Sequence, residues 1–405
     1  MMYFFSFRAI FFLNLFWSRE ERRIAWRFIA TRRTDPQRIG QLEKEICRLT
    51  GAKYARSVNL GRSAIQIALE AFHFQPGSEV ILPSFGCTGT VVPILQAGLK
   101  PVFADVNSDL SVSIEDVQEA LSEKTCAVLV PHLSGRYNRD LPAILSLARK
   151  RGIKVIDDAC QSFGLKVNGR WAGTFGDVGI FSFGSGKNIF GPGGGLLATS
   201  DEAVIAHCQS RDLPRERERD VRLRVARFLW RFGCQPVSSP LQILGELFRS
   251  RTRKSRPERL EKYQFAICQI SPVEAALALC QIRRYEEINS RRRTNAEFLL
   301  SSSALNRLGF YLPDPGENIF TKFLVSSESP KLNSKVRQHL LSRGIQTEGS
   351  YTPLHLRNPF SNLRRTSLTR TEKIWRGAFS IPVSPRLGSR EMSRIGLALK
   401  RIEER

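Results

Sequence analysis

Between residues 54 and 199 short apolar segments alternate with segments of helical periodicity, and this alternation restricts the chain to few folds. Strands joined by helical crossovers form a mainly parallel sheet with helices on both faces. The pattern predicts an α/β fold with strands at Tyr54–Val58, Glu79–Leu82, Lys100–Ala104, Ala127–Pro131, Lys154–Ile156, Val178–Phe183 and Gly195–Thr199. Helices are predicted at Ser63–Phe72, Thr90–Gln96, Ile114–Leu121 and Leu141–Lys150. Sheets of this kind bind ligands at the carboxyl ends of their strands.

The chain has 405 residues, 42% of them hydrophobic, which is enough for one large and one smaller domain. We predict an aromatic and basic N-terminal segment over 1–35, a large domain over 36–264, and a linking helix with a small C-terminal α/β domain over 265–405. The large domain begins with a helix over 36–49, which Gly51 ends. The linking helix is predicted as one long element over 265–300.

The composition limits the classes of function. A net charge of +24 favours contact with anions, such as nucleic acid, acidic lipid or phosphorylated small molecules. No zinc-finger spacing or RNA-binding strand accompanies the charge, so we expect no nucleic acid partner. The eight cysteines form no CxxC pair, which indicates free thiols in a reducing compartment, and we predict no metal site.

Lys187 is the strongest candidate for chemistry. It lies in a small-residue loop after a predicted strand, in the sequence Phe181-Ser182-Phe183-Gly-Ser-Gly-Lys187. A partly desolvated lysine between glycines can be nucleophilic and form a Schiff base with a flat cofactor. Alternation along the strand points Ser182 away from both phenyl rings, where its hydroxyl could reach a phosphate.

Two further segments could bind the same ligand. Asp157 and Asp158 end a strand and point in opposite directions, so at most one of them faces a cofactor, and Gln161 follows them. Helix capping is the alternative role for these acids. The turn Gly61-Arg62-Ser63 joins a strand to a helix, where free N–H groups and the helix dipole favour an anion. A plain N-cap is the alternative for Ser63.

As a linked set, these segments resemble the DegT/StrS-type aminotransferases, pyridoxal-phosphate (PLP) enzymes of fold type I. The motifs that carry the resemblance are Val58-Asn-Leu-Gly-Arg-Ser-Ala64, Pro76-Gly-Ser-Glu-Val-Ile-Leu-Pro-Ser-Phe85, Pro101-Val-Phe-Ala-Asp-Val106, Pro131-His-Leu-Ser-Gly135, Asp157-Asp-Ala-Cys-Gln-Ser-Phe-Gly164, the segment Gly176–Asn188, Glu274–Gln281 and Tyr351–His355.

The resemblance implies PLP as the cofactor and assigns roles by position. Lys187 would form the Schiff base and Asp158 would pair with the pyridine nitrogen. Ser182 and the turn at Arg62 and Ser63, which begins at Gly61, would hold the phosphate. Gln161 would face the phenolic side of the ring, and Cys87 stands where the family often has a ring-stacking aromatic. The segment that supplies a partner-subunit phosphate contact in the family aligns with Ile267-Cys268-Gln269, so that contact is lost or moved.

The implied function is transfer of an amino group, with glutamate as the expected donor, to a keto sugar on a nucleotide carrier, in polysaccharide or secondary-metabolite synthesis. The enzyme would be a homodimer with its active site at the subunit interface. The alternatives are an aminotransferase for a lipid-linked or other non-nucleotide ketone, and a degenerate PLP-binding regulatory protein.

Two segments raise the question of membrane contact. Met1–Trp17 is rich in aromatic residues, and 211–262 forms a basic amphipathic insertion with an apolar stripe at Val221, Val225, Phe228, Leu229 and Phe232. A basic amphipathic helix can bind anionic lipid. The alternatives are a packed N-terminal segment and an ordinary helical hairpin or partner site. We therefore predict a cytoplasmic protein, with peripheral contact at the inner face of the membrane as a second hypothesis.

Overall fold

The computed structural model describes residues 9–235 and 259–403. Its strands are β1 Tyr54–Val58, β2 Glu79–Pro83, β3 Lys100–Ala104, β4 Thr125–Pro131, β5 Lys154–Asp158, β6 Lys166–Val167, β7 Arg170–Trp171, β8 Val178–Ser182, β9 Gly195–Thr199, β10 Phe323–Ser326, β11 Glu348–Gly349 and β12 Ala378–Ile381. All seven strands predicted between residues 54 and 199 are present, each with both ends within two residues of those expected.

The helices in the N-terminal half are α1 Arg19–Thr31, α2 Gln37–Thr50, α3 Gly61–Ala71, α4 Thr88–Gln96, α5 Ile114–Ala120, α6 Leu141–Arg151, α7 Glu202–Ser210 and α8 Glu218–Phe228. Those in the C-terminal half are α9 Pro272–Ile282, α10 Tyr285–Leu300, α11 Ser303–Arg307, α12 Pro330–Ser342, α13 Thr369–Gly377 and α14 Ser389–Glu403. Gly51 ends α2 in the left-handed conformation, with a φ of 77°, as predicted.

A seven-stranded sheet in the order β1-β9-β8-β5-β4-β2-β3 forms the centre of the fold. The strands from β8 to β3 are parallel neighbours, which confirms the α/β class. β9 is antiparallel to both β1 and β8. No helix separates β8 from β9, so the chain returns directly and reverses its direction.

Two apolar layers cover the sheet, and alternation along each strand divides its side chains between them. On β4, for example, Val128 and Val130 belong to one layer and Leu129 to the other. A separate apolar cluster lies around the antiparallel sheet β10-β12-β11 near the C-terminus. The domain boundaries after residues 35 and 264 remain predictions.

The single long helix predicted over 265–300 is wrong. Residues 265–271 are not helical, and the chain breaks again at Arg283 and Arg284 between α9 and α10. α9 begins at Pro272, and Ser271 caps it by accepting a hydrogen bond from the Glu274 N–H. Arg284 at the second break pairs with Glu21 and Glu287.

The apolar stripe on the basic helix is buried against protein. Val221, Val225 and Phe228 of α8 form one cluster with Leu15 and Trp17 of the N-terminal segment. The rings of Trp17 and Phe228 are 5.2 Å apart, and Trp17 Nε1 donates to the Phe190 carbonyl at 2.9 Å. This face of α8 is therefore not available to lipid, which favours the packing alternatives over a membrane surface formed by the stripe.

The remainder of the two membrane candidates, residues 1–8 and 236–258, lies outside the described residues. In the parts of the chain that the structure describes, no helix combines the length and apolar character needed to cross a membrane.

Candidate active site

A cleft of about 200 Å³ opens at the carboxyl ends of β2, β4, β5 and β8, beside the N-terminus of α3. The parallel strands bring residues that are far apart in sequence to this edge of the sheet. Seven of the eight predicted site residues line the cleft, namely Gly61, Arg62, Cys87, Asp158, Gln161, Ser182 and Lys187.

The N-terminus of α3 meets Ser182 at one end of the cleft. A Cβ added to Gly61 would lie 3.0 Å from the Ser182 Cβ and 3.1 Å from the Cys160 Sγ, so glycine is what allows this close approach. No side chain caps α3 at its N-cap, Leu60. The first N–H groups and the helix dipole therefore favour an anion beside the Ser182 hydroxyl.

Ser63 is the predicted site residue that does not line the cleft. Its side chain is buried, and Oγ donates a hydrogen bond to Asn59 Oδ1 at 2.8 Å. Asn59 also accepts from the Cys268 N–H at 3.2 Å and donates to the Ala266 carbonyl at 3.0 Å. The Ser63 hydroxyl thus helps hold the turn against the segment before α9, and the expectation that it binds phosphate directly is corrected.

The two aspartates at the end of β5 point in opposite directions, as alternation predicts. Asp158 lines the cleft, and its Oδ1 accepts from the Cys160 N–H at 2.9 Å. Asp157 is fully buried. Its Oδ2 accepts from the N–H groups of Gly173 and Phe175 at 2.9 and 2.8 Å. Asp157 therefore has a structural role, and Asp158 is the acid available to a ligand.

Lys187 is half-buried and lines the cleft with Asp158. Burial by itself would lower the pKa of Lys187, but Cys160, Cys87, Tyr351 and Asp158 together raise it above its usual value. The amine is therefore protonated when no electrophile is bound. Of these groups Asp158, at the end of β5, is the carboxylate that can balance the charge of the amine.

Gln161 is held in one orientation. Its Oε1 accepts from the Ser134 N–H at 3.0 Å, and its backbone carbonyl accepts from the Thr321 hydroxyl at 2.5 Å. Ser134 has a φ of 59°, an uncommon conformation that turns its N–H toward Gln161. Because Oε1 is occupied, the amide NH₂ of Gln161 is the end left for a ligand.

Arg62 and Cys87 also line the cleft. The Arg62 guanidinium carbon is 4.8 Å from the centre of the Phe265 ring, and burial lowers the pKa of Arg62. Cys87 is the N-cap of α4. Phe85 is buried nearby, with its ring 6.3 Å from that of Tyr351. Phe85 lines the cleft and provides an aromatic ring two residues from Cys87.

These residues fit the cofactor that the resemblance implies. Gly61, where a Cβ would crowd Ser182, lies at the uncapped N-terminus of α3. Together they form a binding site for an anion, which we call the anion cradle. A lysine and a carboxylate lie in the same cleft, so they could bind an aldehyde and a pyridine nitrogen of one molecule.

Thr321 and Asn59 are positioning residues that sequence reasoning did not identify. The Thr321 hydroxyl contacts both the Gln161 carbonyl and Asn188 Oδ1, next to Lys187. Thr321 lies 134 residues after Lys187 and carries no motif, so only the fold could reveal it. Asn59 precedes the Gly61 turn, and its side chain could have been suspected from that position.

Comparison with known proteins identifies relatives over most of the chain. The sequence model of the DegT/DnrJ/EryC1/StrS aminotransferase family matches residues 29–400. A UDP-N-acetyl-3-dehydro-α-D-glucosamine 3-aminotransferase of Acidithiobacillus ferrooxidans is 38% identical over 162 residues, covering 40% of this chain but only 44% of that protein. GDP-perosamine synthase of Escherichia coli O157:H7 is 26% identical over 87% of both chains. A pleiotropic regulatory protein of Geobacillus stearothermophilus is 29% identical over 86% of this chain and 85% of that one.

Solved structures show the same fold. The Helicobacter pylori aminotransferase PseC has a TM-score of 0.77 at 16% identity, covering 98% of this chain and 99% of that one. An aminotransferase from Psychrobacter cryohalolentis has a TM-score of 0.77 at 21% identity, over 95% and 97% of the two chains. Another match, NtdA of Bacillus subtilis, contains the pyridoxamine form of the cofactor. The chain therefore belongs to the DegT/DnrJ/EryC1/StrS aminotransferase family, whose cofactor is PLP.

Proposed function

We propose that this aminotransferase transfers an amino group from an amino-acid donor, glutamate, to a keto sugar carried on a nucleotide. The relatives that support this substrate class are named for UDP- and GDP-linked sugars. The observation that carries the proposal is that Lys187, Asp158 and Ser182 line one cleft beside the open N-terminus of α3.

Each of these residues has a role in moving or holding a proton or a charge. PLP, when bound, accepts the electron pair released as the donor C–H bond breaks. Asp158 would hold the proton on the pyridine nitrogen, which keeps the ring electron-poor. The Lys187 amine would take the proton from the donor α-carbon and later deliver a proton to the former carbonyl carbon of the sugar.

Other residues would orient the cofactor. The Ser182 hydroxyl and the first N–H groups of α3 would bind the phosphate, with the Arg62 guanidinium as an additional cation. The NH₂ group of Gln161 would donate to the phenolic oxygen, because its Oε1 is already bonded to Ser134. Phe85 and Cys87 line the wall that would lie against the ring.

The first experiment tests the cofactor and its attachment. Purified protein loaded with PLP should absorb in the visible region, and borohydride should fix the cofactor on the peptide that contains Lys187. Lys187→Ala should abolish that attachment and turnover. A protein that takes up no added PLP would contradict the proposal.

The second experiment tests the substrate class. The loaded enzyme should aminate UDP-N-acetyl-3-dehydro-D-glucosamine or a GDP-linked keto sugar with glutamate as the donor. Product formation is measured by mass spectrometry, with Lys187→Ala as the control. Activity confined to ketones without a nucleotide would favour the second substrate hypothesis, a lipid-linked or other non-nucleotide ketone.

A regulatory role is the second candidate function, because the Geobacillus stearothermophilus relative is named as a pleiotropic regulatory protein. Retention of Lys187, Asp158 and Ser182 argues against a degenerate site. Bound PLP with no amino transfer from any amino acid in a single-turnover assay would favour the regulatory role.

We also propose a homodimer, tested by light scattering, and a cytoplasmic location. Because the apolar stripe of α8 is buried, membrane contact in this described part of the chain would use exposed residues such as Arg227 and Trp230. Co-sedimentation with anionic vesicles that decreases in an Arg227→Gln variant would support the membrane alternative. No co-sedimentation of the full chain would dismiss it.

A further inference from the structure

A second, narrower cavity adjoins the cleft, and Lys187 lines both. One wall of this cavity is the N-terminal segment Phe12–Asn14, and another is Arg292 of α10. The N-terminal wall is tied to the rest of the fold, because the Phe12 N–H donates to Gln346 Oε1 at 3.0 Å. The cavity therefore opens directly beside the reactive amine.

Arg292 carries a charge that the described residues do not neutralise. Its Nη1 donates to the Thr321 carbonyl at 3.3 Å, and its Nε is buried without a hydrogen-bond partner. No carboxylate in residues 9–235 or 259–403 forms an ion pair with it. Burial alone lowers the pKa of Arg292 to about 10, with no acidic neighbour to oppose the shift.

The neighbouring basic residues have partners of their own. Arg291 pairs with Glu287 at 3.2 Å, and Arg293 donates to the Asn318 carbonyl at 2.7 Å. Lys322, which also lines the cavity, forms an ion pair with Glu348 and lies 4.5 Å from the centre of the Tyr351 ring. Of the three consecutive arginines, Arg292 is the one that lines the cavity.

A partly buried cation without a counter-ion is costly, and a ligand anion would offset that cost. The planar guanidinium matches the geometry of a carboxylate, with which it forms two parallel hydrogen bonds. The anion cradle for the cofactor phosphate lies elsewhere, at Gly61 and Ser182 in the cleft. An anion bound beside Arg292 would therefore belong to a second molecule.

We propose that Arg292 binds the carboxylate of the amino-acid donor and holds the donor beside Lys187. This inference rests on the proposed aminotransfer but not on the identity of the keto sugar. A carboxylate next to the reactive amine is the chemistry expected of an amino acid whose α-carbon must reach Lys187. Arg292 is then a specificity residue for the donor half of the reaction.

The test uses the full-length, PLP-loaded protein and two measurements. The first is calorimetric binding of glutarate, an unreactive dicarboxylate that resembles glutamate without its amino group. The second is the single-turnover reaction with glutamate, followed by the visible absorbance of the cofactor, in the absence of any sugar. Arg292→Gln should weaken glutarate binding at least about tenfold and raise the glutamate concentration for half-maximal rate by a similar factor.

Arg291→Gln is the matched control, because it removes the same charge one residue away at an exposed position. It should leave both measurements unchanged. Arg292→Lys keeps the charge but not the two-pronged geometry, and it should give an intermediate loss. If Arg292→Gln does not fold, Arg292→Lys with the two donors glutamate and alanine still tests the idea.

The two donors also distinguish which carboxylate is bound. A loss shared by glutamate and alanine assigns the α-carboxylate to Arg292, and a loss confined to glutamate assigns the side-chain carboxylate. Unchanged glutarate and glutamate binding in Arg292→Gln would overturn the inference, even if the keto sugar is aminated normally. The unsubstituted protein could instead react normally with glutamate, lose that reaction in Arg292→Gln, and aminate no sugar. That result would contradict only the proposed acceptor.

Discussion

His132 Nε2 and Asp157 Oδ1 lie 2.7 Å apart in a fully buried pair. His132 Nδ1 accepts from the Asn138 N–H at 3.0 Å, so the ring proton is on Nε2 and is donated to Asp157. The carboxylate of Asp157 is thus fully used inside the fold, whereas that of Asp158, one residue later, lines the cleft.

Because of this difference, substitution by Asn should lower catalysis at Asp158 and stability at Asp157. Asp158→Asn should lower kcat on the order of 100-fold with little change in the free energy of unfolding, because the pyridine nitrogen loses its carboxylate. Asp157→Asn should lower the free energy of unfolding by about 1–3 kcal/mol, since an NH₂ group would face buried donors. Denaturant titration and steady-state kinetics measure the two effects, and equal losses of kcat would contradict the assignment.

Gly61→Ala should weaken PLP binding about tenfold, because the new Cβ would crowd Ser182 and Cys160. Gly40→Ala on α2 is the control, since a Cβ there meets nothing within 4 Å. Alanine at position 40 should leave PLP affinity unchanged and stabilise the helix by about 0.5–1 kcal/mol. Fluorescence titration with PLP measures the difference, and equal affinities would argue against phosphate binding at α3.

Thiol labelling should report occupation of the cleft. Cys234 is exposed and should react first with a maleimide, whereas Cys280 is buried and burial raises its pKa to about 12, so it should stay unreacted. Cys87 lines the cleft and should be protected once borohydride has fixed PLP on Lys187. Mass spectrometry of peptides from free and loaded protein reads the result. Labelling of Cys87 at the same rate in both forms would remove it from the cofactor site.

Trp17→Ala should lower the free energy of unfolding by about 3–5 kcal/mol, because the ring packs on Phe228 and its N–H is bonded to Phe190. Trp26→Ala, at a position 58% exposed on α1, should change it by about 0.5 kcal/mol or less. Chemical denaturation compares the two variants. A small effect of Trp17→Ala on the free energy of unfolding would argue against packing of the N-terminal segment on α8 and would leave that segment available for contact with another surface.

Local sequence determined most of the large sheet and the main chemical groups of the cleft. Strand and helix periodicity is a property of neighbouring residues, so β1, β3 and β9 could be predicted with their observed ends. The opposite directions of Asp157 and Asp158 followed from the two-residue repeat of a strand. Lys187 and Asp158 could be paired because adjacent parallel strands bring their ends together.

Tertiary packing decided what local patterns leave open. A serine after a strand can face a ligand or a neighbour, and only the fold brings Asn59 to Ser63. An apolar stripe can face lipid or protein, and only the fold brings Trp17 to Phe228. Whether a charge is neutralised depends on residues distant in sequence, so the three consecutive arginines look equivalent in the chain. The fold gives Arg291 a carboxylate and gives Arg292 and Arg293 one carbonyl each. Of the three, it places Arg292, whose buried Nε has no hydrogen-bond partner, in the cavity that Lys187 also lines.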